Sequence, residues 1–110
     1  MRAAALTLLS AAAGLASAEI TPGTIVVEKS IGNSTYQNTT VYVHPEYDFT
    51  DAKVLNQVSS LYQIAPEYSY FCFAYKPDGT FYSDDWFGID KPLHLSKNNV
   101  VVQAITCRIE

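Results

Sequence analysis

The chain has 110 residues, of which 48% are hydrophobic and 16% charged, with a formal net charge of −4. That length allows one domain with a modest core. The acidic balance lacks the basic surface that phosphate contacts require, so neither nucleic acid nor an anionic membrane is expected as a partner, whereas a basic or neutral one such as a polysaccharide fits.

Residues 1–18 carry the three parts of a secretory signal peptide. Arg2 supplies the positive start, an apolar stretch runs from Ala3 to Leu15, and Leu15-Ala16-Ser17-Ala18 ends in the small-x-small pattern of a cleavage site, placing the cut before Glu19. A membrane anchor would need about 20 apolar residues. This run is shorter, contains Ser10 and Gly14, and meets Glu19 at once. The expected mature domain, residues 19–110, keeps six of the seven Lys and Arg (all but Arg2) and all eleven acids, a formal charge of −5. It is expected to be secreted and extracellular.

Taken in chain order, Glu19–Thr24 reads as an irregular entry and the β-branched Thr24–Ser30 as a strand. Ile31–Asn38 is a polar turn region, and Thr39–His44 alternates as a second strand, ended by Pro45 because proline cannot donate to a sheet ladder. These two strands are expected to form a hairpin. Residues 51–64 are ambiguous. Val54, Leu55, Val58, Leu61 and Tyr62 fall at helical spacing behind Thr50 or Asp51 as a cap, yet Val58–Ile64 is rich in β-formers and runs into Ala65-Pro66. Tyr68–Lys76 is an aromatic strand with Phe71, Phe73 and Tyr75 on one face and Tyr70, Cys72 and Ala74 on the other. Pro77-Asp78-Gly79 supplies a turn, and Thr80–Ser83 returns as the partner strand. Asn98-Asn99 is a further turn, before the valine-rich strand Val100–Cys107.

In an oxidising compartment the only two cysteines, Cys72 and Cys107, have one possible pairing. Each falls within a predicted strand, so the bond would staple two strands or two packed sheets. The fold class expected is all-β: a small single-domain sandwich or barrel with one disulfide and at most one short helix.

Val58–Tyr62, the C-x-A-Y of Cys72–Tyr75, the Asp78–Thr80 turn, the P-L-x-L-S of Pro92–Ser96 and the strand closing on Cys107 follow one another in an order that resembles a large group of fungal small secreted two-cysteine proteins. The match covers about half of the chain. It implies a strand rather than a helix around residues 57–64, and an effector-like role with no catalytic residues to carry over. Size, strand count and cysteine separation are also similar to those of the disulfide-bonded β-sandwich effectors of plant-pathogenic fungi, a likeness of fold alone.

Among candidate sites, Asn33-Ser34-Thr35 and Asn38-Thr39-Thr40 are N-glycosylation sequons in the polar loop of an exported chain. His44 and His94, with Glu46 or Glu67 and Arg108, could imitate the base, acid and phosphate-binding cation of a small ribonuclease, although the sequence surroundings of such an enzyme are absent. Asp84, Asp85 and Asp90 flank Trp86 without the ligand spacing of a calcium loop, so no metal or other cofactor is expected. No phosphate loop, nucleophile elbow or C-x-x-C occurs. Trp86, Tyr82 and Phe87 form a possible contact patch, since Trp and Tyr on a β scaffold stack on sugars or anchor protein interfaces. The function expected is that of a secreted, non-enzymatic, effector-like binding protein for an extracellular or host protein or glycan. The alternatives are a small secreted hydrolase and a structural cell-wall component.

Overall fold

In the computed structural model, residues 20–109 are described. The expected signal peptide and its cleavage point lie outside them. Strand β1 (Gly23–Gly32) and strand β2 (Thr35–Val43) form the expected hairpin, both longer than their sequence pattern. The turn is only Asn33-Ser34, both at positive φ (48° and 60°), which matches the right-handed twist of the flanking strands. A bulge between Ser30 and Gly32, with Gly32 at φ 102°, sets it up. The expected polar turn region over residues 31–38 was therefore too long. Its residues are exposed on both faces of the hairpin end, so strand pairing there needs no apolar alternation.

Both readings of residues 51–64 have a share in the structure. Asp51 caps a single turn, α1 (Ala52–Leu55), accepting from the Lys53 amide at 3.0 Å, and the chain then enters β3 (Ser60–Ala65). Strand β3 pairs antiparallel with β1 (Val27 opposite Leu61), and the short β5 (Leu93–His94) pairs with β3. This gives a four-stranded sheet in the order β2-β1-β3-β5.

Strand β4 (Phe71–Tyr75) pairs with β6 (Ala104–Arg108) in a second antiparallel sheet, Cys72 directly opposite Cys107. The two cysteines are joined, so the disulfide staples neighbouring strands of one sheet. The expected return strand at Thr80–Ser83 is reduced to a bridge between Tyr75 and Phe81, and β4 takes its ladder partner from the far end of the chain. Residues 100–103, expected to be strand, cross between sheets instead. Val100 bridges Val58, the Val102 amide donates to Leu55, and the Gln103 amide donates to Tyr75.

Ile25, Val27, Val41, Val43 and Leu61 from the larger sheet meet Cys72, Ala74, Ile105 and Cys107 from the smaller in one buried cluster, closed by Leu55, Val58 and Phe87, which is bridged to Cys72. Over the described residues the architecture is thus an all-β sandwich with one disulfide and one helical turn. Within it Gln63 is a buried polar group with every side-chain bond satisfied. Its Nε2 donates to the carbonyls of Ala65 and Tyr68 at 2.9 and 3.1 Å, and its Oε1 accepts from the Tyr70 amide at 2.8 Å. That brace seats the fully buried Tyr70 ring, whose hydroxyl donates to the carbonyl of Thr21.

Candidate functional site

Strand alternation decides which aromatic rings meet solvent. In β4 the disulfide holds Cys72 inward and Ala74 follows it, so Phe71, Phe73 and Tyr75 line the outer side of the smaller sheet. Residues directly opposite across a ladder share a face. Phe81, bridged to Tyr75, therefore joins them, its ring 4.7 Å from that of Tyr75 and 5.0 Å from that of Phe73. At the other end Trp86 meets Phe71 edge-on at 4.6 Å. The Lys91 ammonium sits 4.3 Å above the indole and pairs with the Asp85 carboxylate at 2.8 Å, which holds that carboxyl below its usual range. The result is a strip of rings in the order Trp86, Phe71, Phe73, Phe81, Tyr75. Phe81 is 42% exposed and the other four are half-buried. On β6, Arg108 lies beside Phe71 and Thr106 beside Phe73, and with Lys91 and Asp85 they form a polar rim.

The same rule corrects the expected patch of Tyr82, Trp86 and Phe87. Phe87 is 1% exposed, because it exchanges both backbone hydrogen bonds with Cys72 (2.9 and 2.8 Å) and so shares that residue's inward face. Tyr82, next to the outward Phe81, packs against the core and donates its hydroxyl to the Val101 carbonyl. Only Trp86 belongs to the exposed strip. Of the missed members Phe71, Phe73, Tyr75 and Phe81, the first three were within reach of the sequence. Their alternation with Cys72 is visible there, and a disulfide partner is an inward residue.

The outer side of the larger sheet has a different chemistry. Register places Tyr36, Asn38, Thr40 and Tyr42 of β2, Glu28 of β1, Ser60 and Tyr62 of β3 and His94 of β5 on that side. A groove of about 550 Å³ runs between Tyr62, Ile64 and the Ile89–Pro92 loop, and a second of about 530 Å³ reaches Tyr36. Both share Glu28, Ser60 and His94. Ser60 Oγ and His94 Nδ1 are in hydrogen-bond contact at 2.9 Å. A nucleophilic serine also needs an orienting acid on the far ring nitrogen. Glu28 lies on the opposite flank of Ser60, across the ladder.

The remaining candidates are dispersed. His44 accepts from the Glu46 amide at 3.1 Å and stacks on Tyr47, which makes it part of its own turn. It follows Val43, whose partner Gly23 lies five residues along β1 from the Glu28 row that contains His94. That offset, the further step from Val43 to His44 and three strand spacings put the two histidines about 25 Å apart. Glu67 is exposed on the loop after β3, and Arg108 belongs to the other sheet. Asp84 is an exposed loop residue, Asp85 is engaged by Lys91, and Asp90, at φ 58°, sits in a tight turn between the bridged Gly88 and Lys91. Among the described residues no three His, Cys, Asp or Glu side chains gather into a metal-binding group. Asn33 occupies the hairpin turn, whereas Asn38 stands on the outer side of β2, opposite Glu28. No family model, curated protein or solved structure matches the chain.

Proposed function

We propose that the protein is an exported, non-enzymatic, effector-like binding protein that docks an extracellular or host protein on the strip Trp86–Phe71–Phe73–Phe81–Tyr75. The strip itself carries the reading: five neighbouring aromatic rings on a sheet face with a rim of both charges have the anatomy of an interface centre. Three of the five are phenylalanines, which offer no hydrogen bond to a sugar hydroxyl, and this favours a protein over a glycan. The leader-like first eighteen residues, the disulfide and the resemblance to fungal small secreted proteins support the export and effector parts of the reading.

The test is cross-linking of the purified secreted protein to extracellular and host-surface proteins, repeated with Phe73→Thr and Phe81→Thr. Threonine keeps β propensity, so the fold should persist by circular dichroism while the cross-linked product disappears. A product that survives both changes refutes the strip. Retention on glycans alone would move the partner to that class. The second reading, a small secreted hydrolase, is favoured by the Ser60–His94 contact beside a groove. Hydrolysis of RNA, ester or polysaccharide lost in both Ser60→Ala and His94→Ala would establish it in place of the first.

A further inference from the structure

We propose that Asn38 carries an N-linked glycan whose first N-acetylglucosamine lies on the Tyr36 ring and roofs the groove between Glu28 and His94. The proposal rests on the export reading above. Tyr36, Asn38 and Thr40 occupy alternate positions of β2, so the ring, the acceptor amide and the sequon hydroxyl share one face at about 7 Å intervals. The Tyr36 ring lines the groove that Glu28, Ser60 and His94 also line, which fixes that face as the outer side of the larger sheet. Tyr36 is 50% exposed, and β2 is an edge strand with its tip uncovered, so a bulky substituent on Asn38 meets no wall. An aromatic ring two residues before the acceptor offers its face to the apolar C–H side of a pyranose, and Glu28, directly across the ladder, is an acceptor for the acetamido N–H.

Asn33 provides an internal contrast. It sits in the turn at φ 48°, and the residue two before it is Ile31, so a sugar there has no ring beneath it. In the attachment itself the Asn38 amide nitrogen bonds to C1 of an oligosaccharide held on a lipid diphosphate. The C1–O bond breaks, the amide loses one proton, and the lipid diphosphate leaves. The occupant places the glycan on the sheet face opposite the aromatic strip, because the two inner faces share the core.

The experiment secretes the full chain from a eukaryotic host, maps glycopeptides by mass, and measures Tm for the parent, Asn38→Gln, Asn33→Gln, Tyr36→Ala and Tyr36→Ala with Asn38→Gln. The parent is also trimmed with an endoglycosidase to one N-acetylglucosamine. Expected is an occupied Asn38, a parent Tm kept after trimming, a loss of about 2–6 °C in Asn38→Gln, and no loss in Asn33→Gln. The Asn38→Gln loss should vanish on the Tyr36→Ala background. A loss that is the same with and without Tyr36 overturns the stacking. A chain that sheds residues 1–18 yet leaves Asn38 bare overturns this proposal alone, whereas one that keeps them overturns the export reading too.

Discussion

Replacing Gln63 by leucine isolates what one buried amide does for the fold. The two side chains are close in volume, so no large cavity opens and the change is confined to polar atoms. Three hydrogen bonds disappear, at 2.9, 3.1 and 2.8 Å. Ala65 ends β3 and Tyr68 lies in the loop after it, both at positions that water can reach, so the loss at their carbonyls is small. The Tyr70 amide belongs to a fully buried residue and has no such recourse. An unsatisfied buried donor costs about 1–3 kcal/mol, and with the lost bonds the total comes to about 2–4 kcal/mol. For a domain of this size that is about a third of the whole stability. Urea unfolding followed by far-ultraviolet circular dichroism should place the midpoint about 1–2 M lower. Amide exchange at Tyr70 should accelerate more than exchange in β4 and β6. A Gln63→Leu midpoint within about 0.3 M of the parent would refute the brace, and with it the account of how the 65–70 loop is held.

Removing the disulfide through Cys72→Ala with Cys107→Ala, or by reductant, releases a loop of 35 residues and should cost about 4 kcal/mol in the chain-entropy model. Urea unfolding with and without reductant measures it, and an unmoved midpoint would contradict the staple. Burial first, then the neighbouring Tyr68, push the Tyr70 hydroxyl from 10.0 up to about 12. Because the folded state holds that proton more tightly, its contribution is complete below pH 10 and is lost as the pH rises towards 12. Stability measured across pH 9–12 should fall in the parent and fall less in Tyr70→Phe.

Local patterns were the most legible part of the chain. The β-branched run of β1, the stop at Pro45, the Asp51 cap and the alternation through Phe71–Tyr75 are each decided by neighbours in sequence, and each has its counterpart in the structure. Misreadings arose where a distant partner decides. Thr80–Ser83 has the composition of a hairpin return, yet β4 spends its ladder on β6, thirty-odd residues away, and leaves Phe81 only a bridge. Val100–Gln103 has strand composition but gives its amides to Val58, Leu55 and Tyr75 in turn, which no local pattern encodes. Phe87 was misplaced for the same reason: its face is set by its pairing with Cys72, fifteen residues earlier.

The disulfide also bears on why rings stand at the surface of the smaller sheet. Its inner face presents Cys72, Ala74, Ile105 and Cys107, small side chains apart from Ile105, and the space beneath is filled by Phe87 and Leu55 from elsewhere. The core is therefore closed without Phe71, Phe73 or Tyr75. Cross-strand ring pairs on an outer face add only about 0.2–1 kcal/mol each, which threonine or valine would largely supply while keeping the sheet soluble. Folding alone thus gives a weak reason for five neighbouring aromatic side chains at a surface, one exposed and four half-buried, and burial against a partner gives a stronger one, since covering what remains of each ring recovers part of the about 1.5–3 kcal/mol of full burial. The larger sheet differs in kind: apart from the buried Val26 and the exposed Ile64, its outer side is tyrosine, serine, threonine, Asn38, His94 and the Glu28 carboxylate, better suited to water or sugar than to an apolar partner. An N-glycan on Asn38 and a protein on the strip would then occupy opposite sides of one sandwich without competing.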